Sequence, residues 1–234
     1  MDFLLDNPEV EKIYQEIVRM IVPLKNGIVS DSMETRGIKY KVNLGASTLS
    51  LLDLSKRYSK NHLLALKLWN KGWRETMILA AMLEEPKLAS SDQLDYWVKS
   101  FENIEIAEQM CLHLLVNVDS AFDKAKDWAL GKKQTVKYTG ILLMGRLALV
   151  DKNASNDDFE SFFEVLPPLS KDASLQFVLK RTLIQIGKRN RLLNEITLMH
   201  LKHLLTIDSD VSQGMANEVI EELSSPYIQD YLPD

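Results

Sequence analysis

The sequence contains little cysteine, proline or glycine and no long uninterrupted apolar run. Its 234 residues include 1 Cys, 7 Pro and 9 Gly. The lone cysteine, Cys111, cannot close an intramolecular disulfide, and the chain has neither a CxxC pair nor a Cys/His ligand set for zinc. No apolar stretch approaches the ~18 residues of a membrane-spanning helix. These absences argue against a disulfide framework, a zinc site and a membrane protein, so we expect no bound metal and no membrane partner.

Two further signals are missing. Alternating apolar and polar runs joined by hairpin turns are absent, which argues against a β-sheet core. The first six residues, MDFLLD, lack the basic region with which a signal peptide begins. We therefore expect a cytoplasmic protein. The hydrophobic fraction of 46% and the charged fraction of 26% are those of an ordinary globular chain, and we expect a single domain over 1–234 and a monomer.

The net charge of −5 is unevenly distributed along the chain. Residues 1–19 carry five acids and two bases, and 208–234 carry seven acids and no Lys or Arg. Of the 33 acids and 28 bases, 21 and 26 therefore remain for 20–207, a net of +5. A mildly basic body between acidic ends is compatible with a nucleic-acid partner but does not require one.

Three tryptophan-bearing phrases mark an internal repeat. Each phrase precedes a second apolar segment, and the tryptophans are 28 and 31 residues apart. This spacing is typical of helix–turn–helix units that bury their apolar faces only against neighbouring units. The phrases and the segments that follow them are Leu66–Trp69 with Glu75–Leu83, Tyr96–Lys99 with Ile104–Val116, and Lys126–Ala129 with Val136–Val150. Because Trp69, Trp97 and Trp128 take equivalent places, we expect them to pack between repeats rather than to bind a ligand.

Two less exact helix pairs follow, at 159–186 and 192–223, and residues 22–46 are predicted to hold a short helix and a structured loop. The pattern predicts an all-α protein, an α-α superhelix or solenoid of helix-pair repeats. We divide it into N-terminal helices and a loop (1–46), the repeats (47–205) and an acidic C-terminal cap (206–234). Asn7, Ser47 and Asn61 are predicted to begin helices. Pro167 and Pro168 are predicted to lie between helices, where a missing N–H is harmless.

Several phrases resemble the DNA-alkylation-repair family, the AlkD-like HEAT-repeat DNA glycosylases. They are Tyr40–Ser47 (YKVNLGAS), Asn61-His62, Leu66–Trp69, Arg74-Glu75 and the Trp97 and Trp128 phrases, and the resemblance spans roughly 36–190. It implies HEAT-like repeats whose second helices line a concave face that cradles duplex DNA. For active members it also implies hydrolysis of the N-glycosidic bond of cationic alkylated purines, without a metal or an organic cofactor.

The resemblance also implies where catalytic groups would lie. Breaking that bond gives the deoxyribose oxocarbenium character, which a carboxylate and aromatic faces stabilise. The family's Trp-Asp-x-Val-Asp phrase falls on Ile104–Glu108, which keeps both acids and makes Glu108 the candidate catalytic carboxylate. The family's Arg pair falls near Lys137-Tyr138 and its second Trp near Ile184. Both aromatic walls are lost, and a glutamate places its carboxylate one methylene further out, so the pattern points away from efficient base excision.

The remaining candidates are residues suited to the DNA backbone. Lys137 is the candidate basic assistant to Glu108, while Glu105 and Gln109 are candidates for DNA contact, Gln109 as a hydrogen-bonding residue at the rim of the groove. The DNA-binding candidates are Lys39, Lys41, Arg74, Glu105, Gln109, Lys132, Lys133, Tyr138, Lys180, Arg181, Lys188 and Arg189. The alternative for such charged residues is a solvated helix surface, and for Tyr40, between the first two lysines, packing against the first helix pair.

Three functional hypotheses follow from the sequence. The first is a DNA-binding HEAT-like repeat protein that holds duplex or distorted DNA on its concave face with weak or no base excision. The second is an active N-glycosylase that releases N3- or N7-alkylated purines, with Tyr138 or Trp73 replacing the lost aromatic wall. The third is a protein-binding scaffold, a common use of α-solenoids.

Overall fold

The computed structural model describes residues 7–233, and over this range the chain is helical, with one isolated bridge between Val42 and Trp73 and no strand. Backbone contacts divide the chain into two compact units, the first ending at Asp119 and the second beginning at Ser120. Each unit is described by itself below. The single-domain expectation stays a prediction. No helix among the described residues combines the length and the apolar character needed to cross a membrane.

The first unit contains seven α-helices within its described residues. Asparagine and serine side chains cap several of them, as the sequence predicts: Asn7 accepts hydrogen bonds at the start of the first helix, and Ser47 and Asn61 do so at later ones. The helices are α1 (Pro8–Ile21), α2 (Gly27–Thr35), α3 (Thr48–Ser55), α4 (His62–Lys71), α5 (Arg74–Leu83), α6 (Ser91–Ser100) and α7 (Ile104–His113).

The tryptophans of the first unit are part of its core. Trp69 on α4 and Trp97 on α6 are 5% and 2% exposed, and their rings stack at a centroid distance of 4.2 Å. Phe101 packs against Trp69 at 6.1 Å. Because the two tryptophans occupy equivalent places in successive helix pairs, their contact is an inter-repeat contact, which confirms the structural interpretation of these residues.

Residues 22–46 form a short helix and an ordered loop, as expected. A single turn of 3-10 helix, Val22–Leu24, precedes α2, and the loop after α2 returns to the start of that helix, where Asn26 donates its N–H to the carbonyl of Leu44 at 2.7 Å. Gly45 has φ +73°, and a Cβ there would stand 2.1 Å from the carbonyl oxygen of Asn26. Only glycine satisfies both conditions.

The second unit contains eight α-helices within its described residues. They are α8 (Ala121–Ala129), α9 (Gln134–Val150), α10 (Asp157–Phe163), α11 (Leu166–Ser170), α12 (Gln176–Gly187), α13 (Arg191–Leu204), α14 (Asp210–Leu223) and α15 (Pro226–Gln229). The expectation that Pro167 and Pro168 lie between helices is wrong, since they stand in the first turn of the short α11. N–H groups in the first turn of a helix have no acceptor within the helix, so the prolines lose no hydrogen bond there. Their fixed φ also suits a helix start.

Helices α9 and α12 run parallel and in register. Thr182 donates its hydroxyl to the carbonyl of Ile141 at 2.9 Å, Arg189 donates to that of Ala148 at 2.9 Å, and Gln134 donates to Ser174 just before α12. These pairs are separated by about 40 residues each, so the contacts advance along both helices together.

A glycine permits this close approach. A Cβ at Gly145 would lie 2.6 Å from the Thr182 Oγ1 and 3.2 Å from its Cα. Helix α14 then packs on α12 and α13, and it places Glu218 opposite Lys180 of α12 and Glu222 opposite Lys188, which directly follows α12.

Candidate nucleic-acid interface

Two carboxylates of the first unit, those of Glu75 and Glu105, bind one buried arginine. Arg74, the first residue of α5, is 3% exposed. Its Nε and Nη2 donate to both carboxylate oxygens of Glu105 at 2.6–3.0 Å, and its Nη1 donates to Glu75 at 3.0 Å and to the carbonyl of Ala46 at 2.8 Å. Such a bidentate, charge-assisted arrangement is rigid and directional. It ties the start of α5 to α7 and to the loop before α3.

The same network closes the 40–46 loop. Glu75 is fully buried, and its carboxylate accepts the backbone N–H groups of Leu44 and Ala46 at 3.1 and 3.2 Å. Tyr40 donates its hydroxyl to Glu105 at 2.8 Å. The segments 40–47 and 74–75, which carry the family resemblance, therefore contact each other, and each supplies hydrogen-bond partners to the other.

The pKa shifts agree with this description. Burial raises the pKa of Tyr40, and the adjacent Glu105 carboxylate raises it further. For Arg74, burial opposes the charged form, but the hydrogen bonds and negative charges of Glu105 and Glu75 outweigh burial and raise its pKa. The guanidinium is thus permanently charged and fully engaged inside the unit.

A different kind of arginine site lies in the second unit, between α9 and α12. The two parallel helices form a small groove whose walls carry aromatic, cationic, apolar and amide side chains. They are Tyr138, Arg146 and Leu149 from α9 and Phe177, Arg181 and Gln185 from α12. The residues repeat at helical spacing, so each helix presents one continuous stripe to the groove.

The groove exposes groups that a core does not. Phe177 is 67% exposed at the start of α12, and the guanidinium of Arg181, one turn later, stands 5.6 Å from the centroid of its ring. Neither Arg146 nor Arg181 forms an ion pair with any residue between 7 and 233. Two positive charges beside an exposed aromatic ring are suited to a nucleic acid, whose phosphates attract cations and whose bases stack.

Comparison with known proteins identifies the family of the chain. A model of the DNA alkylation repair enzyme family matches residues 7–195. The chain belongs to this family. Its fold is also similar to a solved structure described as a new family of proteins related to the HEAT-like repeat DNA glycosylases with affinity for branched DNA structures. The TM-score is 0.66 at 16% identity, over 89% of this chain and 94% of that one.

The structural likeness confirms the predicted all-α, HEAT-like repeat fold. A comparison with curated protein sequences finds no match. Membership of the family and the HEAT-like fold are thus established, and the catalytic and DNA-binding roles of individual residues stay predictions.

Within the family's Trp-Asp-x-Val-Asp phrase, the structure separates the two acids. Glu105 is held by Arg74 and Tyr40, and its contact with DNA stays a prediction. Glu108 is half-buried further along α7, and Ile104, which the resemblance predicts to stand in place of the family's tryptophan, is 48% exposed. Gln109 is half-buried, and its Oε1 has no hydrogen-bond partner within the described residues.

The contacts of Arg74 and Arg189 are those of structural residues, in contrast to their predicted role in DNA binding. Arg74 is buried as described. Arg189 donates to the carbonyls of Ala148, Asp151 and Ala154 at 2.8–3.1 Å, and its guanidinium lies 4.6 Å from the Phe159 ring centroid. A guanidinium that already satisfies three carbonyl oxygens has little left to offer a phosphate.

The predicted lysines of the second unit fall into two groups. Lys180 and Lys188 pair with Glu218 and Glu222 at 2.5 and 3.1 Å. The others lie at the start of α9, where Lys132 and Lys133 are exposed and Lys137 is half-buried. Their position at a helix N-terminus adds to the positive potential there.

In the first unit, Lys39 and Lys41 are exposed on either side of Tyr40. Tyr40 itself points inward, to Asn103 and Glu105, so it packs against the start of α7 rather than the first helix pair. Lys39 is fixed at its backbone, because its carbonyl accepts the Asn103 side-chain amide at 3.0 Å. The two lysine side chains are therefore displayed from an ordered loop.

The structure brings together two of the predicted residues, Tyr138 and Arg181, and adds residues that sequence reasoning missed. Arg146, Phe177 and Gln185 share their groove. The signal that would have found them is the spacing of Phe177, Arg181 and Gln185 at i, i+4 and i+8, which places an aromatic, a cation and an amide on one helix face. Glu108 belongs to the first unit and Lys137 to the second.

Proposed function

We propose that this member of the DNA alkylation repair family is a DNA-binding protein that holds duplex or distorted DNA with weak or no base excision. The observation that carries the proposal is the groove of the second unit, where Arg146 and Arg181, without an ion-pair partner between residues 7 and 233, lie beside the exposed ring of Phe177. The similarity to a structure described by its affinity for branched DNA supports distorted DNA as the ligand.

The physical basis of binding is charge neutralisation. Each arginine or lysine that meets a phosphate releases a condensed counterion, so affinity falls as salt rises, with a logarithmic slope of about −0.9 per contact on duplex DNA. Lys180 and Lys188, already paired with glutamates, contribute less than Arg146 and Arg181 because a phosphate has to displace the carboxylate first.

We expect weak excision because the resemblance places Ile104 at, and Ile184 near, the positions of the family's tryptophans, and an isoleucine offers no π-face to a developing cation. Of the two acids on α7, Glu105 is compensated by Arg74 inside the first unit. That leaves Glu108 as the acid that can stabilise an oxocarbenium ion.

The test is fluorescence anisotropy with labelled duplex DNA and a labelled four-way junction over a salt series. We expect salt-dependent binding to both, tighter for the junction. The Arg146→Gln/Arg181→Gln variant should reduce the magnitude of this slope by the amount expected for the loss of about two phosphate contacts. Lys171→Gln/Lys202→Gln, matched in charge but outside the groove, is the control. Binding that is absent or insensitive to salt would overturn the proposal and favour a protein-binding scaffold.

An active glycosylase is the second candidate, and it rests on Glu108, the acid of the family phrase that is not tied to Arg74. Incubation of excess protein with methylated duplex DNA tests it. Release of free alkylated base that disappears in Glu108→Gln would establish this activity. We expect no release above the spontaneous rate.

A further inference from the structure

The groove between α9 and α12 combines recognition elements of three kinds in one place. The exposed ring of Phe177 offers a stacking surface, Arg146 and Arg181 offer positive charge, and Gln185 offers an amide. A nucleotide is the ligand that has a matching group for each: a planar base, an anionic phosphate and base-edge amino or carbonyl groups.

Phe177 is poorly explained by the fold alone. It is 67% exposed, although neighbouring large apolar residues of α12, such as Val178 and Leu179, are 3% and 0% exposed. Arg181 holds a position one turn further along, at cation–π distance from the ring. Tyr138 of α9 lies on the opposite wall, and the in-register packing of the helices puts it close to the level of Phe177.

The charges of the groove remain available. On the same helix, Lys180 and Lys188 are neutralised by α14, whereas Arg146 and Arg181 have no carboxylate partner within the described part of the chain. The buried Oε1 of Gln185 also lacks a hydrogen-bond partner there. An unsatisfied buried acceptor costs free energy that a ligand N–H recovers, and base amino groups supply such donors.

The dimensions of the groove favour an unpaired nucleotide over paired DNA. Its floor is the tight packing of α9 on α12, where a Cβ at Gly145 would lie 2.6 Å from the Thr182 Oγ1, and helices packed this closely, with axes about 8–10 Å apart, leave a groove narrower than a double helix. In a duplex both faces of each base are already covered by stacking, and only an unpaired base offers a free face to an aromatic side chain. Distorted DNA contains such bases where a duplex is gapped, bulged or mismatched.

We propose that the α9–α12 groove seats a single unpaired nucleotide of a DNA discontinuity, stacking its base on Phe177 and binding its phosphates through Arg146 and Arg181. This rests on the proposed DNA-binding function and adds its target. The groove distinguishes a discontinuity from continuous duplex because only the former supplies the base.

The experiment compares three labelled duplexes of one sequence: fully paired, with one unpaired central nucleotide, and with an abasic residue in place of that nucleotide. We expect the full chain to prefer the unpaired nucleotide about tenfold over the paired duplex, a size typical of one base–aromatic stack. The abasic duplex, equally flexible but without a base, should bind like the paired one.

Variants tie this preference to the groove. Phe177→Leu should reduce the preference to about onefold, and Phe177→Trp should keep the preference. Tyr96→Leu, which removes an aromatic side chain 65% exposed on α6, is the matched control. Circular dichroism and thermal melts confirm that each variant folds.

The outcomes separate the two proposals. Salt-dependent binding to all three duplexes with no preference, or a preference that the abasic duplex shares or that Phe177→Leu leaves intact, would overturn the nucleotide seat and leave DNA binding standing. No salt-dependent binding to any of the three would overturn the proposed function itself.

Discussion

Arginine serves opposite purposes in the two units. In the first, Arg74 is 3% exposed and donates to two carboxylates and a carbonyl. In the second, Arg146 and Arg181 line a groove without any carboxylate partner among the described residues. Net charge counts all three equally, although only the latter two are placed to attract a phosphate.

The difference shows that a charged residue of a family motif, such as Arg74, can stabilise the fold instead of binding a ligand. A buried arginine must be paired, because an isolated ion in a low-dielectric interior is too costly. An exposed arginine needs no partner, because water solvates it. Burial and existing partners, rather than residue type, therefore separate the structural cations from those available to DNA, and this separation can be tested.

The largest effect is expected on removing the buried charge. Arg74→Met leaves Glu75 and Glu105 without their cation, and breaking a buried pair in this way costs about 3–5 kcal/mol. Urea unfolding of the full chain measures the loss. Arg181→Met should change the free energy of unfolding by less than about 0.5 kcal/mol and instead weaken DNA binding. If Arg181→Met destabilised the fold and Arg74→Met weakened only DNA binding, the contrast between the two arginines would be wrong.

The second prediction concerns the floor of the groove. In Gly145→Ala the new methyl group meets Thr182 at 2.6 Å from Oγ1 and 3.2 Å from Cα, so α9 and α12 must separate, at a cost of about 1–3 kcal/mol. Gly214→Ala on α14 is the control, because a Cβ added there would have no heavy atom within 4 Å. That change should be neutral or stabilise by up to about 1 kcal/mol. Equal losses in both variants would contradict the close packing.

A smaller effect is expected from uncovering the paired lysines. Glu218→Gln/Glu222→Gln frees Lys180 and Lys188, and DNA affinity at low salt should rise roughly two- to fivefold, while each exposed pair contributes less than about 1 kcal/mol to stability. Anisotropy titrations measure the gain. Glu195→Gln/Glu221→Gln, also exposed carboxylates of α13 and α14, controls for net charge. An equal gain in both would show a general charge effect instead.

The smallest effect concerns pH. Burial raises the pKa of Glu84, although hydrogen bonds from His62 and Gln93 oppose this. Because the folded state binds this proton more tightly than the unfolded state, the stabilisation is complete below the ordinary value of 4.5 and is lost as the pH rises through the folded pKa. Relative to Glu84→Gln, the wild-type chain should lose stability over this interval. Parallel pH profiles from urea unfolding would contradict it.

Much of the fold was accessible from the sequence because its signals are local and repeated. The tryptophan phrases predicted the first helices of successive pairs, and Asn7, Ser47 and Asn61 predicted helix starts, since apolar period and capping chemistry act over a few residues. The turn at Pro167 escaped because two prolines commonly end a helix, and their use in the first turn depends on what precedes them.

The candidate site was less accessible because its meaning depends on contacts between distant segments. Nothing local announces that the 40–46 loop returns to Arg74, or that Arg189 meets carbonyls some 35–41 residues earlier. Phe177 was missed because an aromatic residue at a helix start is usually core. Its exposure follows from the register of α12 against α9, a tertiary property.

The groups that fix the packing of α9 on α12 differ from the side chains that line the groove between them. The contacts that fix the two helices use Ile141 and Ala148 as backbone acceptors, with Thr182 as one donor. The side chains that face a ligand, such as Arg146 and Phe177, take no part in those hydrogen bonds. The wall positions are therefore open to exchange without disturbing the frame, and a groove of this construction can be given a new ligand by changing a few side chains.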